Sequence, residues 1–508
     1  MNSKPNVLFI LSDQHNAKVL GHKDHPDVRT PHLDRLASEG TRFDNAITQN
    51  PICTPSRVSF LSGQYCHNHD IYGLCGPRPQ GLPTVFGHFR QRGYRTAAIG
   101  KIHCPEYWVE DDCDLFLETA NCSVGGNPEY KAHIREANLT DEHALSEQRK
   151  GPYGQCMDGY QSPLPYRHTP EGWTVDRAIE FMQSTAAEES PFFMHVSFPR
   201  PHQTYAPARE FWELYDEDKL TLPPNWHYEM RDKAPHLRRT VQGFIESAES
   251  WTVVEPHTYE AGCRRKLRGY LGNVSMMDHA VGELLDYLDK AGLADNTIVV
   301  YSSDHGDYAC EHGAVEKAPG ICADAITRIP FIWRWPGRIK SGHAVESIVE
   351  AVDVAPTLCR LAEVDALATG DGKELTGMLE GGDLPVRAIG VTEFAWSKSV
   401  RKGDFRLVYY PKEMFAEQYP EGFGELYDLR NDPWEMTNLY FNPEYRETAV
   451  SMEKNLLDWL ATTTRVVNTN CARQPTGSQS AERYKCRINS DGRISPECLR
   501  GLKNINYL

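Results

Sequence analysis

"YLGNVSMMDHAVGELLDYLDKAGLADNTIVVYSSDHG", residues 270–306, decides the fold because it joins two periodicities in one stretch. Residues 270–293 carry the apolar spacing of a long amphipathic helix, and 296–306 open on an apolar run that reads as a buried strand. The same alternation recurs upstream. "NVLFILSD" (6–13), "RTAAIGK" (95–101) and "PFFMHVSF" (191–198) read as strands, while "PHLDRLASEG" (31–40), "TVFGHFRQRGY" (84–94) and "TVDRAIEFMQSTA" (174–186) have helical spacing. Strands separated by helices imply a large, mostly parallel sheet covered on both faces, an α/β architecture.

Near residue 385 the texture changes. "AIGVTEF" (388–394), "WSKSVRKGDFRLVYY" (396–410) and "GELYDL" (424–429) are shorter and more polar, and a helix "YRETAVSMEKNLLDWLATTT" (445–464) follows. This predicts a smaller α+β unit with an antiparallel sheet, so the chain divides into an α/β domain at 1–384, a small domain at 385–464 and an irregular tail at 465–508. The charged run "RKGDFR" (401–406) reads as a solvated hairpin. In the tail, Cys471, Cys486 and Cys498 lack the spacing and the fourth ligand of a zinc site, and the segment is the candidate for a contact between subunits of a homo-oligomer.

A formal net charge of −16 repels nucleic acid and anionic membrane surfaces, but leaves open a small anionic substrate that feels the local site. No apolar stretch approaches the ~20 residues a bilayer needs. The N-terminus runs straight into a strand without a cleavable apolar segment, so the sequence as written reads as cytoplasmic, with the periplasm or secretion as the alternative if a signal peptide has been removed. Fourteen scattered cysteines, with no dense framework, fit reduced thiols in a cytosolic protein at least as well as disulfides. The sequons at Asn121, Asn138 and Asn273 carry weight only in a secreted eukaryotic chain. "SVGGN" (123–127) lacks the setting of a nucleotide loop, and His67 and His69 in "CHNHD" (66–70) read as surface residues ahead of substrate or metal contacts.

The polar residues fall where such sheets bind ligands, beyond the carboxyl ends of strands. Asp13 and Gln14 follow the first strand, Lys101 and His103 the second, His202 the third, and Asp304 and His305 the fourth. Two carboxylates, an amide oxygen and an imidazole suit a fairly hard divalent cation, calcium first, with manganese or magnesium as alternatives. "NPICTPSRVSFLSG" (50–63) adds a helix whose N-cap would be Thr54, with Pro55 at its first position and Gly63 closing it. Cys53 then faces the positive end of a helix, and Arg57, Lys101, His103, His202 and Lys317 complete a cationic pocket for a tetrahedral oxyanion.

"CTPSRVSFLSG" (53–63) resembles the type I sulfatase signature, Cys-x-Pro-Ser-Arg followed by Leu-x-Gly. "GKIH" (100–103), the "PH" after a strand, "SDHG" (303–306) with a downstream Lys, "VDVAPTLCRLA" (352–362) and "ELYDLRNDPWEMTNL" (425–439) resemble further landmarks of that family in the same order. The likeness spans roughly residues 5 to 460 and points to the alkaline phosphatase superfamily. It implies a sulfuric ester hydrolase acting on a sulfated small molecule or saccharide, in which a formylglycine-generating enzyme oxidises Cys53. One hydroxyl of the hydrated aldehyde would attack sulfur, and the other, deprotonated, would expel sulfate. By the same resemblance Asp13, Gln14, Asp304 and His305 hold the metal, and Arg57 and Lys101 stabilise the diol. His103 is the base, while His202 and Lys317 hold sulfate and protonate the leaving alcohol.

Two positions depart from the commonest pattern. Many sulfatases have a second Asp where Gln14 stands and Asn where His305 stands; the Gln and His pair also occurs in phosphonate monoester and phosphodiester hydrolases, which typically lack the Lys and His of "GKIH". The alternatives are therefore such a hydrolase, or a silent binder of sulfated glycans with Cys53 unmodified.

Overall fold

The structure, a computed structural model, describes residues 4–74, 79–119, 128–148, 159–227, 230–246, 259–317 and 322–465. "SVGGN", Asn121 and the tail cysteines lie outside them.

A large sheet is built from β1 (Asn6–Asp13), β2 (Thr41–Ile47), β3 (Arg95–Gly100), β4 (Leu115–Glu118), β5 (Phe192–Pro201), β6 (Thr297–Ser303), β7 (Arg328–Ile329), β8 (Phe331–Arg334) and β9 (His343–Glu350). Its order is β4-β3-β5-β1-β6-β8-β2-β7, with β9 paired to β2. From β4 through β6 every pairing is parallel; β8 then runs antiparallel to both β6 and β2. The sheet is thus parallel where the predicted strands lie and mixed beyond them.

Both faces of β1 are covered, which explains its unbroken apolar run. Val7, Phe9 and Leu11 enter one core with Val58, Phe60 and Leu61 of the helix Cys53–Ser62, while Leu8 and Ile10 enter the other with Val281, Leu284 and Leu285 of the helix Tyr259–Lys290. The first core fixes the helix that carries Cys53. The second explains the length of the amphipathic helix, whose inward side chains lie across the opposite face of the sheet.

A separate antiparallel sheet comprises β10 (Gly390–Glu393), β11 (Lys398–Lys402), β12 (Phe405–Tyr409) and β13 (Gly424–Asp428), packed against the helix Arg446–Thr463 through Val400, Leu407, Met452 and Leu456. The β11–β12 hairpin falls on the "RKGDFR" run, but its arginines are not solvated. Arg406 is buried against Glu435 and the carbonyl of Cys322, and Arg401 lies beside Asp324. Alternation places both arginines on the inward face, which charge alone does not reveal.

His67 and His69 are likewise corrected. His69 is buried with Nε2 3.0 Å from Ser59 Oγ, and His67 is half-buried with Nδ1 2.9 Å from a Glu393 oxygen. They tie the end of the Cys53 helix to the second sheet. Asn273 is fully buried within its helix and donates to the Thr204 carbonyl, which removes it as a glycosylation site. Eight cysteines among the described residues are free thiols. Among the described residues no helix is long and apolar enough to cross a membrane.

Candidate active site

Four neighbouring strands, β3-β5-β1-β6, deliver the polar residues to one sheet edge. Asp13 ends β1, Lys101 and His103 follow β3, His202 follows β5, and Asp304 and His305 follow β6. Close approach of backbones at this edge sets one local requirement: Gly100 has φ +105°, and a Cβ there would lie 1.9 Å from the Ser197 carbonyl oxygen.

The helix Cys53–Ser62 begins at Cys53, with Ile52 rather than Thr54 at its N-cap position. Thr54 Oγ1 instead donates to the His103 carbonyl at 2.9 Å, so its hydroxyl ties the helix to the β3 loop. Gly63 closes the helix at φ +68°. Cys53, Ser56 and Arg57 stand at i, i+3 and i+4 and share one helix side. Ser56 Oγ donates to the Asp304 carbonyl at 2.6 Å. The Arg57 guanidinium spans both carboxylates, Nε to Asp304 Oδ2 at 2.8 Å and Nη2 to Asp13 Oδ2 at 2.9 Å, while Nη1 donates to Lys101 O and Ser197 Oγ.

The Cys53 Sγ lies 3.2 Å from His305 Nε2 and 3.9 Å from Asp13 Oδ1. One ligand atom from each of Asp13, Cys53, Asp304 and His305 falls within 4.8 Å of the others, all four residues buried. His305 Nδ1 is 2.9 Å from the Gly306 carbonyl, which turns Nε2 toward the cluster. Two carboxylates and an imidazole fit a divalent cation. The Gln14 side chain is engaged on another side: Oε1 accepts from Lys317 Nζ at 2.8 Å, and Nε2 donates to Asp307 Oδ2 at 2.5 Å. Its backbone N–H donates to Asp304 Oδ1 at 3.0 Å, so Gln14 touches the cluster through its main chain.

Charge follows from this packing. Burial alone would raise the Cys53 thiol, but Lys317, His305 and Lys101 hold it well below its ordinary value. Burial opposes ionisation of Asp13 as well, yet Lys101, with Nζ at 2.6 Å, His202 and Arg57 pull it below the usual carboxylate range. Asp304 moves the other way, raised by burial and by Asp13. Burial holds the His103 imidazole down, and its Nδ1 is enclosed without a hydrogen-bond partner. His202 Nε2 is 3.2 Å from Lys317 Nζ, and Glu316 Oε1 is 3.4 Å from that same amine.

Sequence reasoning missed Asp307, whose carboxylate receives Gln14, Tyr205 Oη and the N–H groups of Ala309 and Glu316. It lies two residues past His305, within reach of the strand-end rule. Glu118 was also missed; at the end of β4 it accepts the His103 N–H at 2.9 Å.

The sulfatase family profile matches residues 5–364, and that of the N-sulphoglucosamine sulphohydrolase C-terminal region matches 310–462. An arylsulfatase of Clostridium perfringens is 26% identical over 472 residues, spanning 89% of this chain and 94% of the relative. A protein solved in complex with its substrate D-glucosamine-2-N,6-O-disulfate superposes with a TM-score of 0.73 at 22% identity, over 93% of this chain and 100% of that one. The phosphonate monoester hydrolase of Agrobacterium radiobacter gives 0.73 at 20%, over 90% and 96%. Since the family profile takes in most of the chain, including every residue of the cluster described above, the chain belongs to the sulfatase family, hydrolases that act on sulfate esters.

Proposed function

We propose that the chain hydrolyses a sulfate monoester borne by a saccharide, with residue 53 converted to formylglycine and a divalent cation, calcium ahead of manganese or magnesium, held by Asp13, Asp304 and His305 with Gln14 beside them. The observation that carries this reading is the Cys53 side chain at the start of a buried helix, within one group of ligand atoms with Asp13, Asp304 and His305. Formylglycine, once hydrated, would supply two hydroxyls on one carbon, so that attack on sulfur and expulsion of sulfate use different oxygens. A cation held there would supply positive charge to offset the charge that builds on the anionic centre.

The chain's own groups do the rest. Arg57 and Lys101 fix the two carboxylates and offset their charge. His103, kept neutral by burial, accepts at Nδ1 the proton of the residue-53 hydroxyl that expels sulfate. His202 Nε2 and Lys317 Nζ bind sulfate and deliver a proton to the departing alcohol oxygen. A saccharide is favoured by the C-terminal match to an N-sulphoglucosamine sulphohydrolase region and by the aminosugar disulfate that is the substrate of the similar fold.

Protein from a host able to convert the cysteine tests the reading. The residue-53 peptide should carry the aldehyde, and a panel of sulfated mono- and disaccharides should contain a substrate. Only free thiol at residue 53, or no hydrolysis across the panel and on an aryl sulfate, defeats it. Gln14 and His305 favour one second reading, a phosphonate monoester or phosphodiester hydrolase. A kcat/KM on an aryl phosphonate exceeding that on the aryl sulfate by orders of magnitude selects it.

A further inference from the structure

His103 stands in the left-handed region at φ +51°, an uncommon conformation for a residue with a Cβ and one that partners on its backbone can hold in place. Both peptide groups of His103 are pinned. Its N–H donates to Glu118 Oε1 at 2.9 Å, and its carbonyl accepts from Thr54 Oγ1 at 2.9 Å. Glu118 comes from the end of β4, next to β3 in the sheet, and Thr54 from the first turn of the helix that begins with Cys53. The imidazole carried by this pinned backbone presents the enclosed, partnerless Nδ1. Neither Thr54 nor Glu118 is needed for capping: the helix starts without a side-chain cap, and the Thr54 hydroxyl is spent on His103.

We propose that Thr54 and Glu118 are positioning residues for His103, acting from opposite sides of its peptide unit to set the imidazole against residue 53. The inference rests on the reading of His103 as the base for sulfate release. In that step the proton of the free hydroxyl on residue 53 passes to His103, the carbon–oxygen bond to sulfate breaks with its electron pair leaving on sulfate, and the carbonyl reforms. Loosening His103 therefore slows sulfate release and leaves the earlier release of alcohol unchanged, whereas a defect of packing or of substrate binding slows both.

The test compares Thr54→Val, Glu118→Met and His103→Ala with the wild type, each with its aldehyde content measured at residue 53 so that rates refer to converted enzyme. Rapid mixing with an aryl sulfate follows alcohol release, and quenched samples are digested to weigh the residue-53 peptide. The expected result for Thr54→Val and Glu118→Met, which remove the donor and the acceptor that hold His103, is a wild-type first turnover, about one alcohol per site. A steady state roughly tenfold to a hundredfold slower should follow, with a sulfo group retained on residue 53. Thr54→Ser, which keeps the hydroxyl, and Glu118→Gln, which keeps the acceptor oxygen, should hold the wild-type steady state. If His103→Ala shows the burst and the retained sulfo group but Thr54→Val and Glu118→Met show neither, the positioning role is overturned while the base assignment stands. If His103→Ala shows neither, the base assignment fails and the inference falls with it. Circular dichroism and midpoint of unfolding identify a variant that has not folded, and Thr54→Ala and Glu118→Ala then replace it.

Discussion

Arg57→Met removes the group that holds the two acidic strand ends together. In the native chain Asp304 and Asp13 each take one guanidinium nitrogen, at 2.8 and 2.9 Å, and the arginine side chain is 1% exposed, so water screens neither contact. After the substitution Lys101 Nζ remains 2.6 Å from Asp13, whereas Asp304 keeps only the His305 imidazole at 3.7 Å and the N–H groups of Gln14 and His305. Removing one partner of a buried ion pair costs about 3–5 kcal/mol. With a urea slope at or above roughly 3 kcal/mol/M for a chain of this size, the unfolding midpoint should fall by on the order of 1 M. Arg57→Lys keeps the charge but cannot span both carboxylates while also reaching Ser197 Oγ and the Lys101 carbonyl, so it should recover less than half of the loss. Calcium should narrow the gap between wild type and Arg57→Met, because a cation between the carboxylates supplies the missing positive charge. Urea titrations followed by tryptophan fluorescence, in chelator and in calcium, read all three effects. A midpoint for Arg57→Met equal to the wild type in chelator, or a deficit that calcium leaves unchanged, would refute the reasoning.

Gly100→Ala places a Cβ 1.9 Å from the Ser197 oxygen at a φ of +105°, and should abolish soluble protein or lower the thermal midpoint more than any exposed-site alanine; a wild-type midpoint would show that β3 and β5 can separate at this point. In protein whose residue 53 remains cysteine, the thiolate persists below the ordinary thiol pKa. Its conversion to a mixed disulfide by a small thiosulfonate, with sulfinate as the leaving group, should therefore stay nearly flat from pH 8 to pH 6, where an ordinary thiol slows about tenfold per unit. Lys317→Met should restore part of the slope, and a wild-type rate already following that ordinary slope would contradict the electrostatic account. Burial pushes the Asp278 carboxyl up to about 8, although it accepts the N–H groups of His32 and Leu33. The native state then keeps a proton that the unfolded chain has lost above about pH 4. Wild-type stability falls between those two pH values as pH rises, and Asp278→Asn lacks that component. Urea midpoints at pH 5 and pH 8 should show the variant gaining on the wild type; parallel profiles would argue for an ordinary carboxyl.

Strands β1, β3, β5 and β6 were legible because they are buried almost throughout, run for at least six residues and each carry an apolar centre. The remaining strands of the large sheet were not. β2 mixes buried and half-buried positions, β4 is a half-buried run of four residues, and β8 is four residues long, too short for a period to show. Missing β4 is what hid Glu118, since the rule that places ligands beyond strand ends cannot be applied to a strand that is not seen. Arg401 and Arg406 misled for a different reason: charge favours exposure on average, but their burial is set by partners on distant segments, Asp324 and Glu435, which pattern in the hairpin cannot anticipate.

The signature around Cys53 was readable because its intervals are those of a helix turn. Cys53, Ser56 and Arg57 stand on the same side of the helix: the proposed nucleophile position at its first residue, a hydroxyl that fixes the Asp304 main chain, and a guanidinium that fixes the two carboxylates. Shifting any of the three by one residue would rotate it about 100° away from the sheet edge. Thr54 shows the same logic from outside the recognised letters, since its position beside Cys53 directs its hydroxyl to His103 rather than back to its own helix. The carboxylates in turn explain why an arginine is required. Burial penalises ionisation of both Asp13 and Asp304, and they move in opposite directions, Asp13 down and Asp304 up. Burial and mutual repulsion resist charging two acids this close, even with Arg57 acting on both, Lys101 and His202 on Asp13 and His305 on Asp304. A divalent ion at this position would draw both into the carboxylate form, and its binding should release protons in the pH range where Asp304 is still protonated. Proton release measured calorimetrically in two buffers of different ionisation enthalpy would register that exchange, and calcium binding without it would mean that Asp304 is already charged.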